Sequence, residues 1–421
     1  MRFLRAAVIV SLVLTTMVSA TPASANVGKK CTKVGVVNKK YSTVCTRIGK
    51  KLKWVKRTSG SGNTSAGNSP GGSGSSGGSS SCVSPVKFTK NFINPDHVQA
   101  VTPIGGQTAF GGSIAVRSYV MPPSSVYGQR LAVYAPGDMT LFQASYYLPP
   151  GAPVGYQPEY ALYFDAGCGV QVQFFHIKGV VGAIGGAVPS SPSSSSAGQN
   201  VASTRVSAGD QIGWFQGEAG KSVAFDFRVE DALNKNSFLN QARFETSPNG
   251  SGELRAKCPY EYYVEPLRTQ WMAKLGSAGG VVVPGTPCGK PSQGVSGTAS
   301  GFWFLPNAKV NDLTFEGASF SDSAVGPAGE YMSQIALTTD ADGMVRIGGL
   351  NIAAPLNQMM VGSNQATWKK PEDIKVGDTH CWTDSRQSVK VQVISTTSLV
   401  AVVGSGSCGS LSLSSGKTYE R

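Results

Sequence analysis

Only three histidines occur in this 421-residue chain, His97, His176 and His380. Imidazole is the side chain that exchanges a proton near neutrality and ligates transition metals, so these three bound the acid/base and metal chemistry on offer. They lie in widely separated segments, and a three-histidine metal site requires all of them to converge. His176 closes the strand-like run Val170-Gln-Val-Gln-Phe-Phe-His. A histidine there serves either as an acid/base or ligand-contacting group or as a hydrogen-bonded residue at a strand end. His97, in Asn94-Pro-Asp-His, reads as a capped-turn residue, and His380, beside Cys381, as structural.

Among the carboxylates, Asp138, Asp165, Asp210 and Asp226 are candidates to meet at one end of a sheet, and paired carboxylates can run glycoside hydrolysis. Asp138 and Asp210 each follow a glycine in a turn-like context, where Asp is favoured for its backbone hydrogen bonds alone. Outside the Gly/Ser-rich stretch 58–81 there is no Gly-x-Ser-x-Gly, and the chain has no cysteine with an evident histidine partner and no glycine-rich phosphate loop between strand and helix. Phe302, Trp303 and Trp382 offer either a sugar-stacking platform or core aromatics. No residue is therefore assigned a catalytic role. His176 and Asp226 are the residual candidates, and His176, Asp226, Asp138 and Trp303 the candidate ligand contacts.

The elements that must position these groups follow from charge and composition. Thirteen Lys/Arg and no Asp or Glu lie in the first 57 residues, leaving 24 basic and 24 acidic residues in the remainder. Arg2 and Arg5 precede an apolar run, Ala6 to Val18, that leads to Ala23-Ser24-Ala25, the pattern of a secretory signal peptide over 1–25. The run is shorter than the roughly 20 residues of a spanning helix, and no later segment is apolar enough to span. Export accords with eight cysteines, Cys31, Cys45, Cys82, Cys168, Cys258, Cys288, Cys381 and Cys408, none in a Cys-x-x-Cys pair. Proximity in sequence suggests the pairs Cys31 with Cys45, Cys258 with Cys288 and Cys381 with Cys408, with Cys82 and Cys168 as the remainder.

Residues 26–57 carry eleven basic side chains on short strand-like runs and read as a small β-meander, which at this size needs a bridge to fold. Its lack of any acid points to binding of anionic wall polymers, acidic glycans or lipid head groups. Nucleic acid is not expected, because the segment holds one Trp and one Tyr for base stacking. Residues 58–81 form a Gly/Ser-rich tether with an end-to-end distance of about 25–30 Å. From Cys82 onward, strand-like runs dominate at 129–135, 160–164, 170–175, 389–394 and 399–403, with one clear helix over 266–275. The expected class is all-β, with domains at 82–290 and 291–421. Residues 190–200 read as a mobile surface loop.

Two resemblances add to this reading. The head resembles small cysteine-containing modules, with a Lys-Leu-x-Trp-like ending, near the amino termini of secreted proteins of high-GC Gram-positive bacteria. In the body, Val133-Tyr-Ala-Pro-Gly-Asp, the pair ending Phe174-Phe-His176, Val206-Ser-Ala-Gly-Asp-Gln-Ile-Gly and Ser222-Val-Ala-Phe-Asp-Phe-Arg-Val follow one another. That order resembles the lysostaphin-like zinc endopeptidases of bacterial cell walls, which implies a duplicated-hybrid-motif antiparallel β fold over about 83–275. The resemblance implies zinc ligands from an early His-x-x-x-Asp motif and a late His-x-His pair. Here the early position reads Gly106-Gln-Thr-Ala-Phe-Gly-Gly-Ser-Ile114 and the late one Ala224-Phe225-Asp226. Only Asp226 could still coordinate, and His176 matches a non-ligand histidine that assists catalysis. The order from Ile93 to Arg421 also resembles larger secreted proteins with a degenerate peptidase-like domain followed by a β-rich domain.

The reading is an exported, cell-wall-associated protein with a non-catalytic peptidase-like domain, no metal and no cofactor, that binds a wall glycan, peptide or protein partner. Its alternatives are an active zinc endopeptidase with a rearranged site and a structural or adhesive surface protein.

Overall fold

The structure, a computed structural model, describes residues 85–105, 113–148, 152, 154–219, 223–247, 251–310, 333–349 and 358–421, with the strand backbones of 37–38, 43–48, 51–56 and 108–109. The expected signal peptide, the tether, Cys31, Cys82, the side chain of Cys45 and most of the 106–114 segment lie outside the described residues. The chain divides into two compact units, residues 1–79 and 80–421. In the first, Val37–Asn38, Thr43–Ile48 and Lys51–Lys56 pair antiparallel, with Cys45 opposite Trp54.

The second unit is all-β, with three short α-helices among the described residues. Its first large sheet runs in the order Gln199–Val206, Met139–Tyr147, Glu159–Asp165, Val170–Ile177, Phe225–Asp231, Ser118–Met121, Ala100–Val101, and Ala256–Lys257 pairs off Phe225–Asp231. Alternation sends Leu162, Phe164, Val172, Phe174, Phe227 and Val229 to one face. There they pack with Phe88, Phe92, Tyr260 and Trp271, and with Leu131, Val133, Ile212 and Phe215 from a three-stranded sheet of Gly179–Val180, Gln211–Phe215 and Leu131–Tyr134. Full burial of each such aromatic or aliphatic side chain contributes about 1.5–3 kcal/mol, which is why this face sets the register. The opposite face carries a smaller cluster of Tyr147, Ala161, Phe175 and Tyr163, and the polar groups described below.

A second eight-stranded antiparallel sheet runs Gln358–Val361, Val345–Gly349, Gln334–Thr339, Gly301–Phe304, Lys417–Glu420, Ser398–Gly404, Ser388–Ser395, Thr379–Thr383. Its separate core centres on Trp303, Trp382 and Tyr419, and Ile114, Phe244 and Leu254 reach into it from the preceding part of the chain. Cys258 is bonded to Cys288 and Cys381 to Cys408, with Cα separations of 5.7 and 5.9 Å. Cys168 is disulfide-bonded as well.

Three local features differ from the sequence expectation. The helix expected over 266–275 spans only Leu267–Met272, and Gly276 instead lets the chain pass against Val281, whose carbonyl oxygen would lie 2.0 Å from an added Cβ. Trp271 is nonetheless buried in the core, as its spacing required. The serine-rich stretch is docked by backbone hydrogen bonds: Ser193 donates to Tyr146 and accepts from Leu148, both at 2.9 Å, and Gln199–Val206 forms the edge strand. Two short helices, Gln241–Thr246 and Ser251–Arg255, occupy a region with no expected element. Among the described residues no helix is long and apolar enough to cross a membrane.

Candidate functional site

The strand Val170–Ile177 pairs regularly with Glu159–Asp165 until Leu162 faces Phe174, after which Tyr160 faces Ile177. One residue, Ala161, therefore stands opposite two, Phe175 and His176, which defines a β-bulge. His176 takes the left-handed conformation, φ 64°, that the bulge demands and that a histidine rarely adopts. Phe174 and Ile177 stay in the core, while Phe175 joins the cluster on the opposite face and His176 leaves the core with it. On that face Phe175 is the register partner of Asp226, which in turn faces Tyr119.

The bulge places the imidazole between two buried carboxylates. His176 Nδ1 donates to Glu159 Oε2 at 2.7 Å, and Nε2 lies 3.6 Å from Asp226 Oδ2. The side chains of Glu159 and Asp226 are 0% and 1% exposed, that of His176 31%. Removing two carboxylates from water costs several kcal/mol each unless cations and hydrogen bonds compensate. Lys178 Nζ donates to Glu159 Oε1 at 2.5 Å and Tyr156 O–H to the same oxygen at 2.6 Å. Asp226 Oδ2 accepts from Arg117 Nη1 at 2.7 Å, and Arg117 also lies over the Phe175 ring, 5.2 Å from its centroid. Asp226 Oδ1 is buried with no hydrogen-bond partner among the described residues.

These contacts set the protonation of the site. Burial alone pushes the Glu159 carboxyl up, but the hydrogen bond and charge of His176, with Lys178, hold it down at about 2. For His176, burial opposes the charged ring, yet Asp226, then Glu159, outweigh it and raise the pKa above the ordinary histidine value. The ring is thus stabilised as an imidazolium with both nitrogens facing carboxylates. In that form it neither accepts a proton from a substrate nor ligates a metal.

The donor set does not fit zinc. A zinc ion sits about 2.0–2.2 Å from carboxylate oxygen and imidazole nitrogen. Here the guanidinium of Arg117 is the cation held by Asp226 Oδ2, and Glu159 is bonded to Nδ1 of His176, which leaves only His176 Nε2 and Asp226 Oδ1 as unengaged donors, too few for a zinc site. No group of three or more His, Cys, Asp or Glu is arranged to hold a metal among the described residues.

The other candidates are elsewhere. Asp138 accepts from the Ala208 N–H, 70 residues away, at 2.9 Å and Asp210 from the Ser207 N–H at 2.8 Å, so these two cap one turn, while Asp165 accepts from the Gly167 N–H at 2.8 Å in its own turn. Asp165 ends the strand that Glu159 begins, so about 20 Å of strand separates them, and the four aspartates do not meet. Trp303 is 0% exposed, donates from Nε1 to the Ala299 carbonyl and lies under Arg421, so it has no face for a sugar and is removed from the ligand contacts. Trp382 is buried and donates to Lys369, and Phe302 is buried beside Phe304. His97 ends the turn capped by Asn94, and the His380 ring bonds to the Thr367 carbonyl.

Sequence reasoning missed Glu159, Lys178 and Arg117. Their signal was present: charged residues are 14% of the chain, so an acid opening an apolar strand after Pro158, and a lysine two residues beyond His176, mark one polar face. No family model, curated protein or solved structure matches this chain.

Proposed function

We propose that this is an exported, envelope-associated binding protein whose body is a non-catalytic relative of the lysostaphin-like peptidase fold. The pairing of Asp226 with Arg117 carries the reading. At the one position where a metal ligand of that family has a possible substitute, the carboxylate is neutralised by an internal cation. His176, where the resemblance implies an assisting histidine, is held between two acids. What the site offers outward is the edge of Arg117 and His176, each about one-third exposed, over a floor of buried carboxylates. Such an edge recognises a ligand by charge and hydrogen bonding. The ligand is a wall glycan, a peptide or a protein partner, and the basic head, residues 26–57, holds the protein at anionic wall polymers.

Two measurements test this. Elemental analysis after equilibration with zinc is expected to show no stoichiometric metal, and turbidity assays no lysis of wall fragments. One zinc per chain, lost together with lysis in Asp226→Ala, overturns the reading. Retention of the full chain on purified peptidoglycan is expected to fall to a plateau as the Debye length shrinks from about 10 Å to about 3 Å, the head contributing the salt-sensitive part and the body the remainder. Complete loss of retention removes the body as a binder, and retention indifferent to salt removes the head.

A further inference from the structure

The partly exposed aromatic ring that Trp303 cannot offer is provided by Trp214. This residue lies in Gln211–Phe215 opposite Gly179 on one neighbouring strand and Ala132 on the other, so neither directly paired residue raises a large side chain against the indole. A Cβ added at Gly179 would lie 2.0 Å from the indole's six-membered ring. The ring therefore rests on the backbone of that strand and is fixed there. Arg130 lies over it, 4.9 Å from the centroid, but unlike the buried Arg421 over Trp303 this arginine is exposed, so a ligand stacking on the indole displaces it into solvent. Across a cavity of about 200 Å³ stands Tyr146, itself immobilised by stacking on Tyr160 at 4.3 Å and 12°. Arg130, Gln157, Lys178, Gln216 and Glu218 supply the polar rim.

The volume is below the ~300–1,000 Å³ of sites for drug-sized ligands and suits a single ring. Two fixed aromatic walls favour a flat C–H face, and a purely apolar ligand would strip water from the polar rim without replacing its hydrogen bonds. An organic cation meets Arg130 and Lys178. A sugar ring has both the apolar face and a girdle of hydroxyls for planar amide, guanidinium and carboxylate groups. We propose that the cleft between Tyr146 and Trp214 binds one pyranose residue of a glycan. The cleft shares Lys178 with the Glu159–His176 cluster, so the two sites have a common wall. The proposal rests on the reading of the body as a binding module and gives that module a sugar-reading site apart from His176.

The test is titration calorimetry with saturation-transfer NMR on the full chain, using N-acetylglucosamine tetramer, cellotetraose and tetragalacturonate as probes and tetraglycine as control. Binding of at least one oligosaccharide is expected, weakened about tenfold by Trp214→Ala and largely restored in Trp214→Phe. Thermal melts report whether each variant is folded; should Trp214→Ala not fold, the rim double variant Arg130→Ala/Gln216→Ala is expected to show the loss. Failure of all three oligosaccharides to bind, or affinity unchanged in the folded Trp214 or rim variant, overturns the cleft. Continued salt-resistant retention on peptidoglycan in that case leaves the binding-module reading standing, so the two failures are distinguishable.

Discussion

The two large sheets treat buried charge in opposite ways. In the second, Arg346 donates twice to Asp340 Oδ2, and the Ala341 and Ala278 N–H groups bond to the same carboxylate. Arg421 bonds to the carbonyls of Val295, Thr298, Ser300 and Thr396 and stacks on Trp303 at 4.0 Å, its pKa lowered to about 10 by burial. These groups are closed on themselves. In the first sheet the acids are equally buried, but Arg117 and His176 remain partly at the surface and Asp226 Oδ1 lacks a partner among the described residues. Closed charge of the first kind fixes a core. The open kind, with cations outermost, is a surface that something else can complete.

Perturbing each side sharpens the contrast. The largest effect is expected from Trp303→Ala, about 3–5 kcal/mol by urea denaturation, because it opens a cavity and strips Arg421 of its stacking surface. Survival of full stability would return Trp303 to the surface. Next, Arg117→Met is expected to cost about 3 kcal/mol by leaving Asp226 buried beside a single cation, and Arg346→Met less, because Asp340 keeps its backbone donors. The reverse order would erase the distinction between open and closed pairs.

Acidity gives a smaller effect. With its pKa raised in the folded state, His176 contributes stability that is complete below the unfolded value of about 6.5 and lost as pH rises through the folded value. Glu159, depressed to about 2, contributes stability above its ordinary 4.5 that is lost as pH falls through about 2. Melting temperature scanned against pH is expected to fall on the alkaline side in the wild type and to lose that dependence in His176→Gln. Smallest is Asp165→Ala, about 1 kcal/mol for one turn hydrogen bond, with no change in the alkaline limb.

How much was legible follows from the distance over which each signal acts. The strands at 160–164, 170–175, 389–394 and 399–403 are visible because alternation is local, and Trp271 is placed by four-residue spacing. The helices of six and five residues at 241–246 and 251–255 are too short to show a period. His176 and Asp226 stood out as candidates. The Arg117 that decides what Asp226 does is 109 residues away, and sheet order alone brings the two together. The bulge was equally hidden, since Phe-Phe-His-Ile reads as an ordinary strand end unless one knows that Ala161 faces two residues.

That bulge makes the site an insertion of a single letter into an otherwise regular text. Removing position 176 alone would let Ala161 face Phe175 and keep Ile177 against Tyr160, so the ladder and the hydrophobic face remain in phase. The bridge from Glu159 to Asp226 would vanish with it. The fold and its charged surface are therefore separable by one residue, and a lineage could gain or lose the surface without rewriting the sheet.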